Sequence, residues 1–152
     1  MKLNNNTVFD CSIIDISKIK NKAGNITIVE NENNIPFSVK RIYYLYDVPG
    51  GESRGGHAHY ELEQYIIAAS GSFNVILDDG INKKTVTLNR PNLALHIVPG
   101  LWRELDNFSS GSITMVLASE VYKEKDYIRE FNTFLDLKIW NILATNQQKY
   151  NQ

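Results

Sequence analysis

Residues 54–65 read RGGHAHYELEQY, and with the flanking glycines they set out the spacing G-x5-H-x-H-x3-E-x7-G over Gly51, His57, His59, Glu63 and Gly71. Two residues separated by one share a face of an extended segment, so the two imidazoles look to the same side of any strand that carries them. Imidazoles with a carboxylate four residues on can hold a metal ion or can move protons. The rest of the chain has to decide between these uses and to supply the scaffold.

Outward from this stretch the chain is punctuated by turn-forming clusters: VPGGESRGG, SGS, DDG, NRPN, VPG and NFSSGS. They concentrate the Gly, Pro, Asn and Ser that tight turns require. Between them lie short β-rich runs: NITIVE (25–30), SVKRIYYLYD (38–47), EQYIIAAS (63–70), SFNVILDD (72–79), KKTVTL (83–88), LALHIVP (93–99) and SITMVLAS (112–119). Many short strands at even spacing predict an all-β, antiparallel sandwich or barrel, and a jelly roll fits best. Alternation along 41–47 puts Arg41, Tyr43, Leu45 and Asp47 on one face and Ile42, Tyr44 and Tyr46 on the other. Tyr44 and Tyr46 are expected in the core or an interface, and His96 as a packed histidine or a dimer contact. From residue 124 to 144 the apolar positions suit short C-terminal helices packed on the barrel or on a partner subunit. Trp140 is assigned to packing, and the tail NQQKYNQ is expected to fray. The expected organisation is one domain over 1–152, with a barrel at about 24–120 and a helical segment at about 121–145.

Composition narrows the function classes. A chain of 152 residues with 43% hydrophobic content can bury one core. No apolar run is long enough to cross a membrane and the start MKLNNNTVFD lacks a signal-peptide core, so a soluble, cytoplasmic protein is expected. Cys11 is the single cysteine, which excludes an internal disulfide and is expected to be a half-buried thiol. Sixteen basic and 17 acidic residues give a net charge of -1, with no footprint for nucleic acid. An anionic small molecule would have to be held by local arginines, of which Arg41, Arg54, Arg90 and Arg103 are the candidates.

The spacing over 51–71 resembles the first motif of the cupin superfamily, or double-stranded β-helix, with the last gap one residue longer than usual. In metal-binding cupins a second motif brings a further histidine. Here that segment is PGLWRELDN (99–107), where Pro99, Gly100 and Asn107 match and Arg103 stands at the histidine position. A guanidinium has no lone pair to donate and stays charged. At about 4 Å and an effective dielectric of about 20, its repulsion of a divalent cation would be about 8 kcal/mol. The alternative of a metal-dependent cupin, an oxygenase or isomerase built on a 2-His-1-carboxylate centre, therefore requires Arg103 to swing away. An arginine at this place suits an anion or a developing oxyanion, and leaves His57 and His59 for acid–base work near neutral pH.

A longer set of segments carries a narrower resemblance: IPFSVKRIYYLYDV (35–48), RGGHAHYELEQ (54–64), GSFNVILDDG (71–80), VPGLWRELDNFSS (98–110) and MVLASEVYKEKDYIREF (115–131). Together they resemble the WxcM-like sugar 3,4-ketoisomerases from about residue 24 to 135. The resemblance implies a jelly-roll homodimer that moves the ketone of dTDP-4-keto-6-deoxy-D-glucose from C4 to C3 without metal or organic cofactor. It implies a product that feeds 3-amino-sugar synthesis for bacterial surface glycans. It puts catalytic roles on His57 and His59 and the family tyrosine at Tyr43, with Arg41 and Arg54 on the diphosphate. Arg103 after Trp102 is the form associated with retention of the gluco configuration, and Ala23 stands where members often carry Tyr or Arg.

The chemistry of such a step matches these residue types. A C4 ketone acidifies the C3 proton, a base removes it, the enediolate needs donors, and a proton returns at C4. His57 and His59, with pKa values near 7, can make the transfers, while Tyr43 and Arg103 can hold the oxygens. Arg41 and Arg54 suit phosphate oxygens. Glu63 can orient a histidine or pair with an arginine, and Trp102 can stack on the sugar or wall the cavity, the latter being preferred. A non-catalytic sugar-nucleotide-binding cupin is the remaining alternative.

Overall fold

The computed structural model describes residues 1–150. In chain order its strands are β1 (Ser12–Asp15), β2 (Arg41–Leu45), β3 (Arg54–His59), β4 (Gln64–Ser70), β5 (Phe73–Asp78), β6 (Lys83–Leu88), β7 (Leu93–Ile97), β8 (Trp102–Asp106), β9 (Ile113–Ala118) and β10 (Tyr127–Ile128), followed by one helix, α1 (Phe131–Tyr150). They form two five-stranded antiparallel sheets, ordered β1-β7-β4-β9-β2 and β10-β3-β8-β5-β6. This is the expected antiparallel jelly-roll architecture.

Alternation builds the core. Phe73, Val75 and Leu77 of β5 point inward and are buried, while Asn74, Ile76 and Asp78 face out. Strand β4 lies at the centre of its sheet and is buried on both faces. Ile66 and Ala68 join the inter-sheet core with Cys11, Leu95 and Val116, whereas Tyr65 and Ile67 pack beneath Ile16, Ile35, Phe37 and Val39. The stretch before β2 therefore covers the outer face of this sheet, which explains why β4, although antiparallel to its neighbours, reads as a nearly continuous apolar run at 65–68.

The structure differs from the sequence-based boundaries in four places. Residues 25–30 form no strand; Ile26 makes only an isolated bridge to Ile19. Sheet pairing starts earlier, at β1 against β7, and ends later, at β10 against β3. Residues 102–106 are a strand whose charged residues masked its alternation. The C-terminal segment is a 3-10 turn (Glu124–Asp126), a two-residue strand and one 20-residue helix in place of short helices. That helix runs through Tyr150, into the tail expected to fray, of which residues 151 and 152 lie outside the described part.

The buried side of α1 is Phe134, Lys138 and Asn141, spaced for one helical face. Phe134 packs with Leu3, Ala58, Trp102 and Ile128. Lys138 Nζ donates to the carbonyls of Asn4 at 3.0 Å and Asn6 at 2.7 Å, and Asn141 donates to Leu3 O, so this helix pins the N-terminal segment through polar groups. Apolar periodicity could not reveal such a face. Trp140, assigned to packing, is 62% exposed. Tyr44, with Ile42 on the edge strand β2, and Tyr46 just after it also face outward, and so are not core residues. Cys11 is fully rather than half buried, and burial pushes its thiol pKa up.

Candidate active site

Where edge strand β2 faces β3, β8 and β10, the two sheets separate around a cavity of about 430 Å³. Five of the expected site residues line it: Arg41 and Tyr43 from β2, Arg54 and His57 from β3, and Arg103 from β8. Arg41 and Tyr43 point the same way as alternation requires, with the Arg41 guanidinium 5.3 Å from the centre of the Tyr43 ring. His57 is aimed by a local irregularity. Gly55 and Gly56 both have positive φ, and the register between β3 and β8 shifts between Gly55 and His57. A β-carbon on Gly55 would lie 3.0 Å from Arg103 O, so only glycine lets β3 cross β8 closely there.

His59 lies behind His57, fully buried, with the ring centres 4.9 Å apart. Its Nδ1 is 3.0 Å from Asp126 Oδ2, while Asp126 Oδ1 accepts the Glu61 N–H at 2.8 Å. Burial would raise the Asp126 carboxyl, but the bonds from His59 and the backbone outweigh it and hold the pKa below the ordinary value. Ionised Asp126 therefore accepts, Nδ1 of His59 carries the proton, and Nε2 keeps its lone pair. Tyr127 of β10 closes this side: its ring centre is 4.3 Å from that of His59 and 5.1 Å from that of His57.

Both imidazoles are strongly neutral rather than poised near pH 7. Burial, then the charge of Arg103 and the neighbouring His59, pushes His57 down to about 3. Burial lowers His59 to about 4 against the upward pull of Asp126. Arg103 is completely buried; desolvation brings it down to about 10, which still leaves it charged at neutral pH. Its Nη1 donates to Gln64 Oε1 at 2.8 Å and its Nη2 to Leu101 O at 2.9 Å. Gln64 Nε2 in turn donates to Tyr43 Oη at 2.9 Å, and burial raises the Tyr43 phenol so that it keeps its proton.

Four other residues singled out in the sequence lie elsewhere. Glu63 accepts from His96 at 2.7 Å, and His96 packs against Tyr65 and Phe37, so this carboxylate orients a histidine outside the cavity. Neighbouring residues on a strand face opposite ways, so with Gln64 turned inward Glu63 is directed out. The same rule separates Trp102 from Arg103. Trp102 packs under α1 against Phe131 and Phe134 and neither stacks on nor walls the cavity. Arg90 and Ala23 are also absent from its lining. Among the described residues no group of three or more His, Cys, Asp or Glu side chains converges as metal ligation requires.

Residues that sequence reasoning missed complete the site. Gln64 could have been found from parity, since it shares a face with Ile66 and Ala68 and is the polar member of an inward row. Asp126, Tyr127 and Arg129 sit in a segment read as helical and gave no signal. Arg129 lines the mouth, its guanidinium 4.3 Å from the Tyr127 ring centre, and forks onto Glu124 at 2.6 and 2.8 Å.

A jelly-roll barrel with proton-accepting imidazoles, a protonated phenol and several guanidiniums around one cavity belongs to the cupin class, in a form suited to an anionic ligand and proton transfer. The chain is a member of the WxcM-like family: the model described as FdtA, WxcM-like, C-terminal, matches residues 9–139. It is 45% identical over 122 residues to the TDP-4-oxo-6-deoxy-alpha-D-glucose-3,4-oxoisomerase of Aneurinibacillus thermoaerophilus, covering 80% of this chain and 88% of that one. A 3,4-ketoisomerase from Helicobacter canadensis superimposes with a TM-score of 0.83 at 44% identity, over 85% of this chain and 97% of the other. The 3,4-ketoisomerase QdtA of Thermoanaerobacterium thermosaccharolyticum, as a His-to-Asn mutant in complex with TDP-4-keto-6-deoxyglucose, gives a TM-score of 0.83 at 36% identity, over 86% and 94% of the two chains.

Proposed function

We propose that this chain is a TDP-4-keto-6-deoxy-D-glucose 3,4-ketoisomerase. The observation that carries the reading is the neutral His57 imidazole in a cavity whose wall also holds Arg41, Arg54, Arg103 and the protonated Tyr43. In the proposed reaction His57 removes the C3 proton of the substrate. Negative charge then develops on the enediolate oxygens, where the Tyr43 O–H stabilises it by hydrogen bonding and the buried Arg103 charge electrostatically. His59, carrying its proton on the Asp126 side, packs behind His57 and fixes that ring. A solvent-exchangeable proton is delivered to C4 while the O3 hydroxyl proton is lost and O4 is protonated, leaving the ketone at C3, so no net oxidation occurs and no electron acceptor is needed. Arg41 and Arg54 hold the diphosphate through forked donors.

The reading extends to a homodimer, supported by the exposed apolar face of Ile42 and Tyr44 on an edge strand and of Tyr46 just beyond it. It also extends to a cytoplasmic setting in which the 3-keto sugar is consumed by amino transfer at C3, for 3-amino-3,6-dideoxyhexoses of surface glycans. Among the described residues no helix is long and apolar enough to cross a membrane. The test is incubation of the protein with TDP-4-keto-6-deoxyglucose in deuterium oxide, followed by NMR. A 3-keto product with deuterium at C4 is expected; unchanged sugar with no exchange would sink the proposal.

A further inference from the structure

We infer that Gln64 is a positioning residue that passes the donor polarity of Arg103 to Tyr43, so that the Tyr43 O–H is turned away from the protein and offered to the sugar oxygen. This rests on the ketoisomerase reading for the identity of the sugar, but its geometry stands on the protein alone.

Arg103 and Gln64 are each 1% exposed, so their polar groups must be satisfied locally. A guanidinium has five donors and no acceptor. The Gln64 atom 2.8 Å from Arg103 Nη1 must therefore be the amide oxygen, which removes the usual ambiguity of an amide's orientation. The opposite end, 2.9 Å from Tyr43 Oη, is then the NH2 group, which can only donate. Tyr43 accepts there, and its own hydrogen has to point elsewhere. Tyr43 lines the cavity, so that hydrogen is available to a ligand oxygen. A hydroxyl that could turn either way is thus fixed as a donor before the sugar arrives, which is the preorganisation that stabilises developing oxyanion charge.

Substituting Gln64→Glu reverses the polarity without changing shape. The new carboxyl accepts from Arg103 and from Tyr43 alike, and the phenol hydrogen turns inward. Turnover of TDP-4-keto-6-deoxyglucose is expected to fall about 100-fold in kcat, the scale of losing one oxyanion donor. TDP affinity is expected to be unchanged, because Arg41 and Arg54 are untouched. In a Tyr43→Phe background, where the hydroxyl is already gone, the same substitution should cost distinctly less than about 100-fold in kcat, as coupled residues do, the remainder coming from the new carboxylate's offset of the Arg103 charge. A full 100-fold loss in that background, or wild-type kcat in the single variant, overturns the inference.

A substrate-free measurement separates this inference from the reaction assigned above. In wild type the Gln64 donor favours the phenolate of Tyr43, so 13C NMR titration of the ring should give a higher pKa in Gln64→Glu, and also in Gln64→Met should the first variant not fold. An unchanged Tyr43 titration overturns the inference. Wild-type protein that fails to isomerise the sugar overturns the ketoisomerase reading instead, and the tyrosine titration still decides the role of Gln64.

Discussion

His59 Nδ1 lies 3.0 Å from Asp126 Oδ2, with the two side chains 0% and 5% exposed. The contact ties β3 to the 3-10 turn before β10, and fixes which nitrogen of His59 carries the proton. Asp126→Asn is the informative change. Its Oδ1 would still accept the Glu61 N–H, leaving an NH2 group facing Nδ1, so His59 would have to move its proton to Nε2. A loss of about 100-fold in kcat is expected, the scale of misplacing the His57 base when the ring that holds it is disturbed. TDP affinity, measured by calorimetry, should hold.

The low pKa of His57 sets the acid limb of activity. An ordinary histidine base would be half protonated near pH 6.5, and kcat/KM would fall below that value. With burial and Arg103 holding His57 down to about 3, the base remains unprotonated through the mildly acidic range. The kcat/KM profile should therefore stay flat from pH 8 to about 5.5. An acid limb centred at 6.5 would contradict this environment for His57.

The same shifts act on stability with a definite sign. Both His57 and His59 titrate lower in the folded chain than the ordinary 6.5, at about 3 and about 4. Between those values and 6.5 the unfolded chain binds more protons, so stability is fully present above pH 6.5 and is lost as the pH falls. The melting temperature should drop from pH 7 to pH 5, and a His57→Gln, His59→Gln double variant should show a shallower slope over that window.

Much of this site was legible because strand alternation and residue chemistry are local properties. Arg41 with Tyr43 on one face, and the mismatch of Arg103 with a metal, follow from spacing and from the guanidinium alone. Burial was not legible: nothing in RGGHAHYELEQY says that His59 is sealed under Tyr127, so imidazoles expected near pH 7 sit far lower. Glu63 misled because the two-His, one-Glu spacing is the same whether the carboxylate turns inward or, as here, toward His96 on the neighbouring strand. The Lys138–Asn141 face of α1 was hidden for a related reason. Its polar groups are buried by bonding to N-terminal carbonyls, a contact spanning almost the whole chain.

Glu63→Gln then distinguishes the two uses of that motif. Since the carboxylate serves His96 on the outer side of the sheet, the variant should keep its isomerase kcat and lose about 1–2 kcal/mol of stability, the scale of a partly exposed charged hydrogen bond. Overnight dialysis of the wild-type protein against EDTA should leave turnover unchanged. Loss of activity in either experiment would revive a metal centre at the two histidines.

Arg41 gives the clearest link between an unmet need in the fold and a ligand. Its Nε and Nη2 are buried without a partner among the described residues, and its guanidinium is flanked by the rings of Tyr43 and Tyr122, with centres at 5.3 and 5.6 Å. A buried donor left unsatisfied costs about 1–3 kcal/mol, so holding Arg41 this way destabilises the free protein unless an anion completes it. Arg41→Gln should therefore melt at or above the wild-type temperature without ligand. With TDP the order should reverse. Wild type gains about 2.7 kcal/mol at a ligand concentration 100 times its Kd, and the variant, binding more weakly, gains less at the same concentration. Thermal melts of both proteins across a TDP titration check this. Parallel curves would mean that Arg41 supports the strand and not the diphosphate.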